Sequence, residues 1–343
     1  MLFIRTDANS KIGTGHLMRC LAIANQAKQE GVECIFIISD KETEQIITPF
    51  GFSTICLNSK WNNLNSEIAK LIQVINENKI KLLLVDSYYV TKEYFKEVGK
   101  RVDLIYLGDL EYCEEYIACL INYNNYYYKF NYENMFINKK TKLLLGTKYT
   151  PLRKEFININ PILNNTVSNV LITTGGTDKY NIAEKLLQYF VNEKKETNIN
   201  FNVVVGSLNK NLESLSEFEK KNKNVKLYIN INNIAQLMIE SDIAISAGGS
   251  TLYELCACGT PTICYAFVNN QLDSINEFSN NEIMISVGDI RGREKECIDL
   301  IYDKIQFLKN NYHIRQKMSK SMCEVVDGKG NCRIIKEICA LHH

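Results

Sequence analysis

The stretch Leu2-Phe3-Ile4-Arg5-Thr6-Asp7-Ala8-Asn9-Ser10-Lys11-Ile12-Gly13-Thr14-Gly15-His16-Leu17-Met18-Arg19-Cys20 decides the fold. A short apolar run leads into a polar, glycine-containing turn. Leu17, Cys20, Leu21 and Ala24 then follow, spaced for one face of a helix over 17–29. Strand, loop and helix in that order open a βαβ unit, and ligands of such units meet the loop at the strand's carboxyl end. Gly13 and Gly15 let the backbone come close to a ligand there, and the helix N-terminus adds a positive dipole end. His16 stands on the first helical turn, on the cleft side, and no other histidine precedes position 313. A catalytic imidazole in the first half of the chain can therefore only be His16. Gly-x-Gly is not by itself a dinucleotide fingerprint, because no third glycine follows at the required spacing.

Outward from this block the same alternation continues over 343 residues, too many for one ordinary core. Strands are predicted at 2–5, 34–39, 82–85, 104–107 and 143–145, and again at 170–173, 202–205, 226–229, 243–246 and 262–266. Apolar strands alternating with amphipathic helices predict an α/β protein of two Rossmann-like domains, with mostly parallel sheets facing across a cleft. The alternation pauses between Pro151 and Ser168, where a polar run carrying Pro161, Asn164 and Asn165 reads as a linker. The predicted domains are 1–155 and 165–330. A terminal helix over 331–343 would cross back to the first domain by analogy of fold. The Asn-, Tyr- and Lys-rich segment 122–140 reads as a surface excursion.

Composition narrows the classes of partner. Forty basic and 39 acidic residues leave a net charge of +1, which offers no electrostatic basis for binding nucleic acid or an anionic membrane. No apolar run approaches the roughly 20 residues of a membrane span, and Met1–Arg5 runs at once into polar sequence, so a soluble cytoplasmic protein is expected. The 12 cysteines are scattered without a C-x-x-C pair, and they read as reduced core residues rather than metal ligands.

Two further loops follow predicted strands. Thr173-Thr174-Gly175-Gly176-Thr177-Asp178 is one. Ser246-Ala247-Gly248-Gly249-Ser250-Thr251, leading into Leu252-Tyr253-Glu254-Leu255, is the other. Main-chain N–H groups of such loops can cradle a diphosphate, with Ser250 and Thr251 adding hydroxyl donors. Glu254, one turn on, can accept the two hydroxyls of a ribose. No lysine follows as in a P-loop, and no acidic cluster suggests a metal. Asp86-Ser87-Tyr88 and Asn269-Asn270-Gln271 also follow strands, and either can complete a cleft or simply form a turn.

These blocks together resemble a known family. Arg5-Thr6-Asp7 with Ile12-Gly13-Thr14-Gly15-His16-Leu17-Met18-Arg19-Cys20 is similar to the opening signature of the PseG/SpsG family, UDP-sugar hydrolases of pseudaminic acid biosynthesis with a GT-B-like fold. The likeness continues through Asp86-Ser87-Tyr88, Leu145-Gly146 with Tyr149, Leu152-Arg153, Gly175 to Asp178, Ala247 to Thr251 with Glu254, Asn270-Gln271 and Asp327-Gly328-Lys329-Gly330. One departure is Gly108-Asp109-Leu110, where the family tends to carry Asp-Asp-Leu.

The resemblance implies metal-independent hydrolysis of UDP-2,4-diacetamido-2,4,6-trideoxy-β-L-altropyranose to UDP and free sugar, with no cofactor. It implies that His16 activates water at the anomeric carbon, that Ser250, Thr251 and Glu254 hold diphosphate and ribose, and that Asn270 and Gln271 face the sugar. The candidate catalytic residues are thus His16, Tyr88 and Asn270. Asp7, Gly13, Gly15, Gly175, Gly176, Gly248, Gly249, Ser250, Thr251, Glu254 and Gln271 are the candidate substrate contacts. The expected partners are a UDP-sugar and its product UDP, in a monomer or weak homo-oligomer. A glycosyltransferase passing the sugar to an acceptor would use the same loops. A non-catalytic sugar-nucleotide sensor would not need His16.

Overall fold

Strand β1 (Leu2–Thr6) is buried along its whole length because it lies between two parallel neighbours, β2 (Cys34–Ile38) and β4 (Leu82–Asp86). Helices cover both faces of such a sheet, so its central strands read as continuous apolar runs. The computed structural model describes all residues except Ser10, Cys113, Ser207, Leu208, Asn230, Asn232 and His343. With β3 (Ser53–Cys56), β5 (Asp103–Leu107), β6 (Cys119–Asn122) and β7 (Lys142–Leu145), these strands form a seven-stranded parallel sheet ordered β3-β2-β1-β4-β5-β6-β7. A second sheet holds β8 (Asn169–Thr173), β9 (Asn200–Val205), β10 (Val225–Ile229), β11 (Ile243–Ala247), β12 (Thr262–Ala266) and β13 (Ile285–Asp289). It is also parallel, in the order β10-β9-β8-β11-β12-β13.

The chain divides into two units. Unit 1 takes Met1–Lys154 with Gly328–His343, and unit 2 takes Glu155–Asp327. Helix Gly330–Cys339 therefore belongs to unit 1, where it packs on helix Gly15–Gln29 through the buried Ile334, Ile335 and Ile338. Its first residue is a glycine for a steric reason: a Cβ there would lie 2.1 Å from the Thr150 carbonyl oxygen. Asn331 next to it donates from Nδ2 to the Leu152 carbonyl at 2.5 Å.

The unit boundary at Lys154/Glu155 falls inside the stretch 151–168 that reads as a linker, and that stretch is held at several points. Phe156 is buried, and fully buried Arg315 donates from Nη2 to the carbonyls of Asn164 (2.7 Å) and Asn165 (2.9 Å). Asn164 in turn donates to Asp242 at 2.9 Å. The reading of 122–140 as a surface excursion holds only in part. Tyr123, Tyr126, Tyr132 and Phe136 are buried, and the Tyr132 hydroxyl accepts from Leu110 N (2.9 Å) and Asn122 Nδ2 (3.0 Å). Tyr132 and Phe136 join the core of unit 1, while Tyr128 and Ile137 stay exposed. Among the described residues no helix is long and apolar enough to cross a membrane.

Candidate active site

In unit 1 the strand order reverses between β1 and β4, so their carboxyl ends flank a switch point. The register pairs Thr6 with Asp86, the last residues of the two strands. After β1, Asn9 shapes the loop: its Oδ1 accepts from Lys11 N (2.9 Å) and Ile12 N (3.1 Å), and its carbonyl accepts from Gly13 N (2.8 Å). Gly13 sits at φ +75°, a conformation that glycine adopts without cost. Helix Gly15–Gln29 then starts, with His16 on its first turn.

His16 Nδ1 lies 2.5 Å from Asp86 Oδ1. Arg19, one turn further along the helix, forks onto the same carboxylate, Nε to Oδ2 at 2.6 Å and Nη2 to Oδ1 at 2.5 Å, and donates from Nη1 to the Tyr123 hydroxyl at 2.9 Å. Burial opposes the charge on Asp86, but Arg19 and His16 outweigh it and hold the carboxyl well below the usual carboxylate range. An ionised Asp86 only accepts, so His16 Nδ1 carries a proton, and in the neutral imidazole Nε2 is then the lone-pair nitrogen. The Tyr88 ring meets the imidazole edge-on, with centroids 4.4 Å apart and planes at 85°. The histidine is thus fixed in tautomer and in orientation.

His16, Asp86, Ser87 and Asp7 line one open pocket, whose remaining wall is Ile12, Trp61, Tyr88 and Tyr89. Asp7 has both oxygens engaged: Oδ1 accepts from Ser39 N at 2.7 Å and Oδ2 from Arg5 Nη1 at 2.6 Å. Arg5 is fully buried and forks onto the equally buried Glu67, Nε to Oε1 at 2.7 Å and Nη2 to Oε2 at 2.8 Å. A buried guanidinium without such partners would cost several kcal/mol, so the sequence must supply both carboxylates together.

Unit 2 reverses its strand order between β8 and β11, and both glycine loops lie there. Gly175 (φ +80°) and Gly176 face open space, while a Cβ on the neighbouring Gly206 would lie 2.6 Å from the Gly176 carbonyl. Asp178 closes this loop by accepting from Ile182 N (2.8 Å) and Ala183 N (3.1 Å), so it braces the following helix. In the second loop Gly249 faces open space, whereas a Cβ on Gly248 would strike Ile275 Cγ2 at 2.7 Å. Ser250 and Thr251 begin helix Thr251–Cys258, and Glu254 lies in its first turn. Exposed Asn270 and half-buried Gln271 start helix Asn269–Asn280. Gln271 Oε1 accepts from Phe267 N at 3.0 Å, which leaves its amide N–H groups as the donors it can offer a ligand.

The structure therefore brings His16, Tyr88 and Asp7 to one cavity of unit 1, and the two glycine loops to one sheet edge of unit 2. Sequence reasoning missed the fork of Arg19 on Asp86, and it missed Trp61 and Tyr89. The lone tryptophan in polar Ser59-Lys60-Trp61-Asn62-Asn63 was the available signal. Among the described residues no group of three His, Cys, Asp or Glu side chains converges as a metal would need.

Comparison with known proteins defines the class first. The family of glycosyl transferases group 1 matches residues 155–320. MurG from Acinetobacter baumannii superposes with a TM-score of 0.70 at 11% identity, covering 99% of both chains. Staphylococcus aureus MnaA in its UDP co-structure does so with a TM-score of 0.69 at 12% identity, over 98% of this chain and 95% of that one. The protein has the two-domain, Rossmann-like GT-B fold.

Three relatives narrow this. The UDP-2,4-diacetamido-2,4,6-trideoxy-β-L-altropyranose hydrolase of Campylobacter jejuni is 28% identical over 273 residues, 79% of this chain and 93% of that protein. The spore coat polysaccharide biosynthesis protein SpsG of Bacillus subtilis is 24% identical over 342 residues, 96% of this chain and 95% of its own. An uncharacterized protein of Methanocaldococcus jannaschii is 28% identical over 278 residues, 76% of this chain, and the match spans only 54% of that longer protein. Likeness to the hydrolase and to SpsG supports the PseG/SpsG family for this chain.

Proposed function

We propose that the protein hydrolyses a UDP-linked 2,4-diacetamido-2,4,6-trideoxyhexose to UDP and free sugar, as a step in making a nonulosonic acid of the pseudaminic type. The observation that carries this reading is the His16–Asp86 pair on the unit 1 cavity, with Nδ1 committed to the carboxylate. Water attacks the anomeric carbon and gives its proton to His16 Nε2. The bond from that carbon to the diphosphate oxygen breaks, and UDP leaves with the electron pair. Asp86 stabilises the imidazolium that forms, and a positioned base of this kind is worth about 10²–10⁴-fold in rate.

A diphosphate leaves readily, so the rest of the task is to hold it and neutralise its growing charge. Main-chain N–H groups around Gly249, Ser250 and Thr251 suit that, Glu254 suits the ribose hydroxyls, and Asn270 with the Gln271 amide suits the sugar. Likeness to the Campylobacter jejuni hydrolase supports the choice of substrate. The likeness to glycosyl transferases group 1 favours one rival, transfer to an acceptor hydroxyl activated by the same base.

The test uses purified protein, the UDP-sugar, EDTA, no acceptor, and water enriched in ¹⁸O. The expected result is UDP release with ¹⁸O in the free sugar and none in the phosphate. Strict dependence on an added acceptor assigns transfer instead. In the same assay His16→Ala should retain UDP binding and lose at least about 10²-fold in turnover; unchanged turnover removes His16 from the role of base.

A further inference from the structure

Two aromatic residues of the unit 1 cavity have no part in the chemistry above. Trp61, the only tryptophan of the chain, and Tyr89 meet edge-on, with centroids 5.3 Å apart and planes at 80°. Both line the cavity that holds His16. Tyr89 and its neighbour Tyr88 keep 39% and 60% of their surface exposed, which is unusual for rings that could have turned inward.

Trp61 is also firmly placed. Its loop follows β3, and two residues earlier Ser59 is tied at both ends. Ser59 N donates to the Ser39 carbonyl at 3.0 Å, and Ser59 Oγ donates to Glu67 Oε2 at 2.6 Å. That is the Glu67 on which buried Arg5 forks. A turn from Lys60 to Asn63, closed by Asn63 N on the Lys60 carbonyl at 3.0 Å, then presents the indole. A buried ion network thus anchors an aromatic surface at the cavity.

We propose that Trp61 and Tyr89 form a specificity wall that takes the apolar parts of a deoxy-acetamido sugar, its ring C–H face and its methyl groups, in preference to those of a fully hydroxylated hexose. The cavity combines acceptor and donor groups at Asp86, Ser87 and His16 with a wall of Ile12, Trp61 and Tyr89. An amphipathic ring matches that lining better than a wholly polar or wholly apolar ligand. Aromatic faces reward burial of C–H groups, and they leave a ring hydroxyl without the partners it had in water. The inference rests on the reading that this cavity receives the sugar, whether water or an acceptor attacks it.

Trp61 itself reports the result, because all tryptophan emission comes from this position. His16→Ala protein, which keeps the ligand intact, is titrated with UDP-2,4-diacetamido-2,4,6-trideoxyhexose, with UDP-glucose and with UDP. The diacetamido compound should shift or quench the emission, UDP should leave it unchanged, and UDP-glucose should need at least about tenfold more ligand, one factor of ten being about 1.4 kcal/mol. In wild-type background Trp61→Ala should raise KM about tenfold with kcat changed by less than about threefold, and Trp61→Phe should recover most of the loss. Calorimetric binding of the diacetamido compound with silent emission, or Trp61→Ala kinetics equal to wild type, overturns the wall. Emission change without turnover in wild type would sink hydrolysis and leave the wall standing, and turnover with silent emission would do the reverse.

Discussion

His16 Nδ1 and Asp86 Oδ1 lie 2.5 Å apart although 70 positions separate the two residues, because β1 and β4 are neighbours in the sheet. The carboxylate accepts, the imidazole nitrogen donates, and in the neutral ring the second nitrogen is left with a lone pair.

Asp86→Asn keeps the size of the side chain and removes the charge that selects this tautomer. Turnover should fall about 10²–10⁴-fold, while UDP affinity by calorimetry stays within about threefold. Equal losses in both measurements would mean that the carboxylate serves only the fold.

Arg19 governs the acid limb of stability. The folded Asp86 carboxyl lies below its unfolded value of about 3.9, so the folded state binds fewer protons in the window between the two. Its stabilisation is complete above that unfolded value and drains away as pH falls through the folded one. Arg19→Leu raises the folded value and leaves a buried carboxylate with only His16 and the weakly donating Cys20 thiol. Urea unfolding at pH 7 should show a loss of about 3–5 kcal/mol, and the acid midpoint should move up. An unchanged acid limb contradicts this.

The two adjacent glycines of the second loop should behave differently. Gly248→Ala puts a Cβ against Ile275 and helix Asn269–Asn280, and should cost about 1–3 kcal/mol of stability. Gly249→Ala meets nothing within 4 Å, so the fold should tolerate it. On the proposed placement of the diphosphate, the added methyl nonetheless obstructs its approach to the backbone, and UDP affinity should weaken by about tenfold, or about 1.4 kcal/mol. Wild-type UDP affinity in Gly249→Ala would move the diphosphate away from this loop.

Glu67→Met leaves Arg5 buried with Asp7 as its one remaining carboxylate. A loss of about 3–5 kcal/mol in chemical denaturation is expected, against almost none for exposed Glu240→Met on helix Ile234–Ile239's C-terminal cap. Equal small effects would show that the fork contributes nothing net.

Much of this fold was legible because central parallel strands are buried on both faces and announce themselves as apolar runs. Eight of the ten strands read are interior, and the other two, β7 and β10, are edge strands that still carry short apolar runs. The edge strands β3 and β13 were not read, for Ser53, Ser286 and Gly288 interrupt any such run in strands paired on one side only. Interior β6 is four residues long, too short to stand out beside the polar segment that follows it. The glycine loops were legible for the same local reason, each being a few consecutive residues after a strand. The His16–Asp86–Arg19 cluster was not, since nothing in one sequence says that β4 rather than β2 carries the partner of His16. Trp61 was hidden likewise: its place at the cavity depends on Ser59 reaching Glu67, a tie between two loops.

Unit 1 is discontinuous, and that sets an order of assembly. Synthesis delivers β1 to β7 first, but the helix that covers the one bearing His16 comes only at Gly330–Cys339, after all of unit 2. At about 5–20 residues per second the ribosome needs on the order of ten seconds or more to cross that interval. Until then an apolar flank of helix Gly15–Gln29 waits for Ile334, Ile335 and Ile338. The half of the protein made first is therefore finished last, and a nascent chain stalled within unit 2 leaves that flank of the helix bearing His16 uncovered.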